Sequence, residues 1–279
     1  MYEKGYGVEQ DYEKAAEYYT KAIELGNGVG ANNLGYMYEK GYGVEQDYEK
    51  AVEYYTKAIE LGNGTGANNL GYMYWSGNGV EQDYEKAMEY FAKAMELGNG
   101  TGANNLGNIY WNGNGVEQDY EKAKEYYTKA IELENGLGAV YLGNMYRYGN
   151  GVEQDYEKAK EYYTKAIELG EGSGAIALGN MYFYGNGAEQ DYEKAIEYYT
   201  QAMELGNGTG ANNLGWMYEH GYGVEQDYEK AIEYYTKAVE LGNSAGANNL
   251  GCMYENGNGV ERDYEKAMEY YNLACELEN

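Results

Sequence analysis

Apolar residues recur along this chain in two alternating patterns, and both have the spacing of an amphipathic α-helix. In the stretch 67–76, Ala67, Leu70, Gly71 and Tyr74 follow one another at intervals of three or four residues. A second stripe with the same spacing follows after a short glycine-rich segment. It comprises Ala87, Tyr90 or Phe91, Ala94 and Leu97. Each pair of stripes predicts two antiparallel helices, called helix A and helix B below.

The pair of patterns repeats with a period of 36 residues and without any insertion or deletion. We interpret the chain as one linear array over 1–279, with a partial first repeat over 1–26 and seven repeats of 36 from 27 to 278, uncapped at both ends. Function is expected on an extended surface, because each repeat packs only on its neighbours. An aspartate marks each repeat: Asp11, Asp47, Asp83, Asp119, Asp155, Asp191, Asp227 and Asp263.

Turn and cap residues divide the two helices. The segment 77–80, Gly-Asn-Gly-Val, ends helix A, Asp83 is a strong N-cap for helix B, and Gly98 ends helix B. One further glycine per repeat lies inside helix A, where it costs about 1 kcal/mol relative to alanine. We attribute it to close packing of the two helices. Replacing Gly107 by leucine should therefore destabilise the array, whereas the same change at Asn108, on the open face, should be nearly neutral.

The repeated residues resemble a known family. The pattern Leu-Gly-x-Met-Tyr, Gly-x-Gly-Val, Asp-Tyr-x-Lys-Ala, Tyr-Tyr-x-Lys-Ala is similar to the Sel1-like repeat, a relative of the tetratricopeptide repeat, over essentially all of 1–279. With the helical pattern, this resemblance predicts an all-α, right-handed superhelical solenoid of antiparallel helix pairs. More narrowly, Lys-Ala-x-Glu-Leu-x-Asn-Gly-x-Gly-Ala resembles the Helicobacter cysteine-rich protein group.

That narrower resemblance implies a disulfide between helix B and the next helix A, but the cysteines are replaced. Apolar residues stand at the paired positions, so secretion and oxidation do not carry over. Cys275 occupies the first position of such a pair, and its expected partner would lie beyond Asn279. We expect Cys275 and Cys252 to be free thiols. The replaced pairs include Ile23 with Ala31, Ile59 with Ala67, and Met95 with Ala103.

Charge and composition narrow the choice of partners. The formal net charge is −27, and Arg147 and Arg262 are the only arginines, so a nucleic acid is not an expected partner. A basic protein or peptide fits better. No apolar stretch reaches bilayer length, so membrane insertion is not expected. Because the first residues lack the features of a signal peptide, we expect a cytoplasmic protein as written, and a secreted or periplasmic one if the chain belongs to a longer protein.

Residues for catalysis or metal binding are scarce. His220 is the only histidine and has no partner of the kind a general base requires. Acyl-transfer motifs and His or Cys clusters with metal-ligand spacing are absent from the sequence. We therefore expect neither an enzyme nor a cofactor.

The differences between repeats point to a binding face. The positions equivalent to 36, 39 and 40 in helix A vary from copy to copy and lie opposite the core stripe. They include all three tryptophans, and aromatic residues and arginine are enriched at binding hot spots. Truncating Trp111 or Phe183 to alanine should then weaken binding and leave stability nearly unchanged. The candidate partner-binding residues are Tyr72, Trp75, Trp111, Arg147, Tyr148, Phe183, Tyr184, Trp216 and His220.

The leading prediction is a noncatalytic scaffold that binds a peptide or protein partner along the concave helix A face. Two alternatives stay open. One is a structural module that associates end to end into a filament or oligomer. The other is recognition of peptidoglycan or another glycan through exposed tryptophan and tyrosine rings.

Overall fold

The computed structural model describes residues 11–278, and this part of the chain consists of fifteen α-helices without a β-strand. Even-numbered helices carry the helix A pattern and odd-numbered helices the helix B pattern. The predicted all-α solenoid of helix pairs is thereby confirmed. The helices are α1 (Tyr12–Glu24), α2 (Gly28–Lys40), α3 (Tyr48–Glu60), α4 (Gly64–Ser76), α5 (Tyr84–Glu96), α6 (Gly100–Asn112), α7 (Tyr120–Glu132), α8 (Gly136–Tyr148), α9 (Tyr156–Glu168), α10 (Gly172–Tyr184), α11 (Tyr192–Glu204), α12 (Gly208–His220), α13 (Tyr228–Glu240), α14 (Ser244–Asn256) and α15 (Tyr264–Glu278).

The helices form two compact units, Met1–Gly138 and Ala139–Asn279. In the first unit α2 pairs with α3, α4 with α5 and α6 with α7, and each of α1, α3 and α5 also packs on the helix A that follows it. The second unit repeats this arrangement from α9 onward, with the pairs α10–α11, α12–α13 and α14–α15. That both units together form one array stays a prediction. None of the described helices combines the length and apolarity needed to cross a membrane.

Side-chain caps mark the start of many of the helices, as in α3 and α4. Asp47 Oδ1 accepts a hydrogen bond from the backbone N–H of Lys50 at 3.0 Å, as the sequence predicts for helix B. Helix A begins earlier than predicted, at Gly64 and not at Ala67, because Asn63 Oδ1 caps the N–H of Gly66 at 2.8 Å. The glycines of this first turn therefore lie in the helix and not in a loop.

The buried core follows the two stripes with two changes. In helix A, Ala67, Leu70 and Gly71 are buried as predicted, and Met73 joins them. Tyr74 is only half-buried. In helix B the large buried side chain is Phe91 and not Tyr90; Ala87 and Ala94 lie with it, and Leu97 is half-buried.

The helix A glycine lies against the buried aromatic ring of helix B. A Cβ added at Gly107 would lie 2.5 Å from Cε1 of Tyr127. One added at Gly71 would lie 2.8 Å from the ring of Phe91. Because both distances are far below van der Waals contact, the predicted close approach is confirmed, and glycine is required there for packing.

A second aromatic contact ties each helix A to its own helix B. Tyr74 stacks on Tyr90 with ring centroids 5.6 Å apart, and Lys86 Nζ lies 5.0 Å from the centroid of the Tyr74 ring. The same arrangement recurs in the second unit, where Tyr182 stacks on Tyr198 at 5.6 Å. This repeated stack keeps the two tyrosines half-buried and explains why Tyr74 lies at the border of the core.

One turn departs from the repeat. After α1, α3, α5, α9, α11 and α13, helix B ends with a glycine in the left-handed region, such as Gly98 with φ of 82°. A Cβ built on Gly98 would have no other atom within 4 Å. The equivalent residue after α7 is Glu134, which has φ of 59°. The Glu134 side chain does not clash with neighbouring residues, but the left-handed backbone conformation is strained for a residue other than glycine.

Replacing Gly107 by alanine should lower the free energy of unfolding by about 1–3 kcal/mol, because the ring of Tyr127 is buried and cannot move away freely. Urea unfolding followed by circular dichroism measures this. Asn112→Ala, at an exposed position of the same helix, is the control and should change the value by less than about 0.5 kcal/mol. Equal losses in both variants would contradict the packing role of the glycine.

Replacing Glu134 by glycine should raise the free energy of unfolding by roughly 0.5–1 kcal/mol, because relief of the left-handed strain outweighs the added freedom of the unfolded chain. Gly98→Glu is the matched reverse change and should destabilise by a similar amount. An unchanged or lower stability of Glu134→Gly would show that the turn is not strained.

Candidate partner-binding face

The helix A face is defined here by the positions equivalent to 36, 39 and 40. The structure places them in two groups. Side chains at the first and third positions are exposed where they are aromatic: Tyr72 is 53%, Tyr148 59%, Tyr184 64% and Trp216 36% exposed, and His220 is exposed as well. These five candidate residues lie at the surface as the sequence predicts.

The position equivalent to 39 is turned toward helix B, and the expectation that it is open is wrong. Phe183 is only 8% exposed, and Trp75, Trp111 and Arg147 are half-buried. The Trp111 ring packs edge-on against Tyr120 of the following helix B, with centroids 4.9 Å apart. Truncation of Phe183 is therefore expected to lower stability, contrary to the interpretation from the sequence.

The residue types at these positions vary with the hydrogen-bond acceptor that the buried tyrosine of helix B requires. Tyr55 lies in the core, and its hydroxyl donates a hydrogen bond to Glu39 Oε2 at 2.7 Å. Tyr235 donates to Glu219 Oε2 at 2.6 Å in the same way. Tyr271 repeats the contact with Glu255 at 2.7 Å. In these repeats the acceptor is a glutamate at the position equivalent to 39.

In other repeats the acceptor comes from the position equivalent to 36. The hydroxyl of Tyr127 donates to Asn108 Oδ1 at 2.8 Å. Asn108 is half-buried and is the partner of a core hydroxyl, so its substitution is expected to lower stability, contrary to the interpretation from the sequence. The same bond joins Tyr163 to Asn144 at 2.7 Å and Tyr199 to Asn180 at 2.7 Å.

One repeat has a phenylalanine in place of the buried tyrosine of helix B, so no hydroxyl there requires an acceptor. Helix B carries Phe91 there, and helix A carries Tyr72 and Trp75 in place of asparagine and glutamate. Each described repeat therefore supplies an acceptor only where a buried tyrosine needs one, since an unpaired buried hydroxyl costs about 1–3 kcal/mol. Much of the variation on helix A has this structural origin.

Paired asparagines near the start of helix A form a ladder that sequence reasoning missed. Asn69 Nδ2 donates to Asn32 Oδ1 at 3.0 Å, and Asn105 Nδ2 donates to Asn68 Oδ1 at 2.9 Å. In the second unit Asn249 donates to Asn212 at 2.9 Å. The recurrent Asn-Asn dipeptide was the available signal. Each of these bonds uses the NH2 group of one asparagine and the carbonyl oxygen of the other.

Asn104 departs from this ladder. Its side chain is 3% exposed, and its Oδ1 lacks a hydrogen-bond partner among residues 11–278. At the equivalent positions the next repeat carries Val140 and Tyr141, and the repeat after it carries Ile176 and Ala177, in place of two asparagines.

The second unit contains an aromatic cluster at the helix A face. Trp216 stacks on Tyr222 at 4.9 Å and contacts His220 at 4.5 Å and Phe183 at 5.5 Å, all between ring centroids. Beside it lies an open pocket of about 240 Å³. The pocket is lined by Asn180, Phe183, Tyr184, Tyr199, Asn212, Asn213, Trp216 and Met217. It brings Phe183, Tyr184 and Trp216 of the predicted set together; the other six predicted residues do not line it.

The structure does not assemble a catalytic or metal centre within residues 11–278: no three His, Cys, Asp or Glu side chains are placed to hold a metal ion. The imidazole Nδ1 of His220 lies 3.0 Å from the backbone carbonyl oxygen of Trp216 in its own helix. Cys252 is half-buried, Cys275 is exposed, and neither forms a disulfide.

Burial changes the titration of the core tyrosines. It raises the pKa of Tyr163 to about 12, although the nearby Arg147 guanidinium acts in the opposite direction. Burial also raises the pKa of Tyr55 and Tyr235, and the hydrogen bonds to Glu39 and Glu219 add to the effect because ionisation would place two negative charges together.

The stacked helix pairs with an exposed helix A face define the class as helical repeat proteins. A profile of the Sel1 repeat matches residues 1–27, 28–63, 65–99, 101–135, 137–171, 172–207, 209–243 and 244–279. The chain belongs to the Sel1 repeat family. Proteins of this family generally mediate protein–protein interactions and are generally noncatalytic.

Solved structures agree with this assignment. The chain is 35% identical to c5321, a protective antigen of uropathogenic Escherichia coli strains, with a TM-score of 0.64; the similarity covers 100% of this chain and 60% of that one. A Sel1 repeat protein from Oxalobacter formigenes is 29% identical, with a TM-score of 0.72 over 90% of this chain and 99% of that one. Immunity protein Pa5087 from Pseudomonas aeruginosa is 26% identical, with a TM-score of 0.54 over 69% and 74%. No protein of curated function matches the chain.

Replacing Phe91 by tyrosine should lower the free energy of unfolding by about 1–3 kcal/mol, because helix A offers no acceptor for the new buried hydroxyl. Adding Tyr72→Asn should recover most of the loss, because asparagine at the equivalent position accepts the Tyr127 hydroxyl. Urea unfolding of both single variants and the double variant gives the coupling energy. If the stability changes of the two single variants simply add in the double variant, the buried tyrosine does not pair with an acceptor on helix A.

Stability of the fold should fall as pH rises above about 10, the ordinary tyrosine pKa. Since the pKa of Tyr163 is raised to about 12 in the folded chain, its contribution is complete below pH 10 and is lost between the two values. Urea midpoints measured across this range test the sign. Tyr163→Phe should flatten the dependence, and an unchanged slope would contradict it.

Proposed function

We propose that this chain is a noncatalytic scaffold that binds an extended peptide or a protein segment along the helix A face. The pocket beside Tyr184 and Trp216 in the second unit is the proposed anchor point. The asparagine ladder provides amide groups that can pair with the main chain of the bound segment.

The observation that carries the proposal is the exposure of Tyr184 beside an open pocket. A tyrosine that is 64% exposed adds little to the core, and its main described ring contact is an edge-on one with Phe183 at 4.9 Å. Large aromatic rings bordering a recess are the groups that anchor protein partners. The interaction role generally found in the family supports the same conclusion.

The size of the pocket indicates a side chain as its occupant. About 240 Å³ is below the range of roughly 300–1,000 Å³ typical of small-molecule sites. A single residue of a partner fits this space, with its flanking main chain running over Asn212 and Asn213. End-to-end assembly and glycan binding stay alternatives without an observation that favours them.

Peptides selected from a random displayed library provide the test. Tyr184→Ala should weaken their binding by about 2 kcal/mol, as expected for an anchor ring, and leave the melting temperature nearly unchanged. Trp216→Ala should weaken binding as well, and it should also lower stability because its ring packs on Tyr222 and Phe183.

Tyr264→Ala is the control, because this ring is 58% exposed but lies on α15, away from the pocket. Its binding should equal that of the original chain. A library without binders, or binders whose affinity is indifferent to Tyr184, would contradict the proposed function.

A further inference from the structure

We propose that the pocket beside Tyr184 binds the guanidinium group of an arginine side chain from the partner. This inference rests on the proposed function and specifies which residue of the partner enters the anchor point.

The lining of the pocket matches the two properties of a guanidinium group. Tyr184, Phe183 and Trp216 supply ring surface, on which a planar cation stacks. Asn180, Asn212 and Asn213 supply amide groups. Asn180 Oδ1 already accepts from Tyr199 and Asn212 Oδ1 from Asn249, but an amide oxygen has two lone pairs, and the second can accept from one of the five N–H donors of arginine. An aliphatic side chain would cover these amides without pairing them, which is unfavourable.

Other repeats show the same face occupied by cations of the chain itself. Lys40 Nζ lies 5.7 Å from the ring centroid of Tyr36. The guanidinium carbon of Arg147 lies 5.2 Å from the ring centroid of Tyr148, the residue equivalent to Tyr184. In the next repeat Phe183 stands in place of Arg147, and no lysine or arginine among residues 11–278 lies over the Tyr184 ring. The ring that binds an internal cation in one repeat is thus open to an external one in the next.

The charge of the chain favours the same occupant. The sequence has 47 acidic and 20 basic residues, and no lysine or arginine lines the pocket. A cationic segment is therefore attracted to this surface, and the attraction is screened by salt.

Three blocked glycine peptides that differ only at the central residue test the inference. They carry arginine, its neutral isostere citrulline, or leucine, and binding is followed through the indole N–H signal of Trp216 in NMR titrations. The arginine peptide should bind about tenfold more tightly than the citrulline peptide, in line with a cation–π contribution. Tyr184→Leu should remove this preference.

Tyr148→Leu is the matched control and should keep the preference, because the Tyr148 ring already holds Arg147. Equal or tighter binding of the citrulline or leucine peptide would overturn the inference. So would an arginine preference that survives Tyr184→Leu, or the absence of any signal change at millimolar peptide. If library-selected peptides depend on Tyr184 but lack arginine, the inference fails while the proposed function stands; if they ignore Tyr184, the proposed function itself fails.

Discussion

The contact between the helix A glycine and the buried aromatic ring of helix B is the constraint on which the rest of the fold depends. Gly107 has no room for a Cβ against Tyr127, so the two helices approach closely and the ring is buried between them. A buried tyrosine then brings a hydroxyl that must find an acceptor. Helix A supplies it from one of two positions, as Asn108 or as the residue equivalent to Glu39. Packing in helix B thus dictates part of the sequence on helix A.

This coupling divides the helix A face between two roles. Some residues bind the tyrosine hydroxyl of the core, and Phe183 and the half-buried Trp111 pack on the following helix B. Tyr184 and Trp216 keep exposed ring surface and border the pocket. Exposed positions of helix A are free to vary only where the buried tyrosine hydroxyl of helix B already has an acceptor. In the repeat that carries Tyr184, Asn180 accepts the hydroxyl of Tyr199.

The period, the helix pairs, the caps at Asp47 and the role of Gly107 could all be predicted from the sequence, because each depends on local spacing and backbone geometry. The sequence did not predict that the side chain at the position equivalent to 39 packs toward helix B. A helical projection places it opposite the core stripe, but Trp111 packs against Tyr120 at the start of the following helix B. The hydroxyl acceptors and the asparagine ladder also depend on contacts between helices. The signal for the acceptors is the joint change of Phe91 with Tyr72 and Trp75, and the signal for the ladder is the recurrent Asn-Asn dipeptide.

The most direct test of this division is a saturation mutagenesis scan of α10 to α12 with two readouts, the abundance of folded protein and the binding of a selected peptide. Substitutions at Gly179, Asn180 and Phe183 should reduce abundance, and substitutions at Tyr184 should reduce binding at unchanged abundance. Trp216 should affect both. Binding-specific effects confined to the helix B residues of α11, or abundance losses at Tyr184 equal to those at Phe183, would contradict the account.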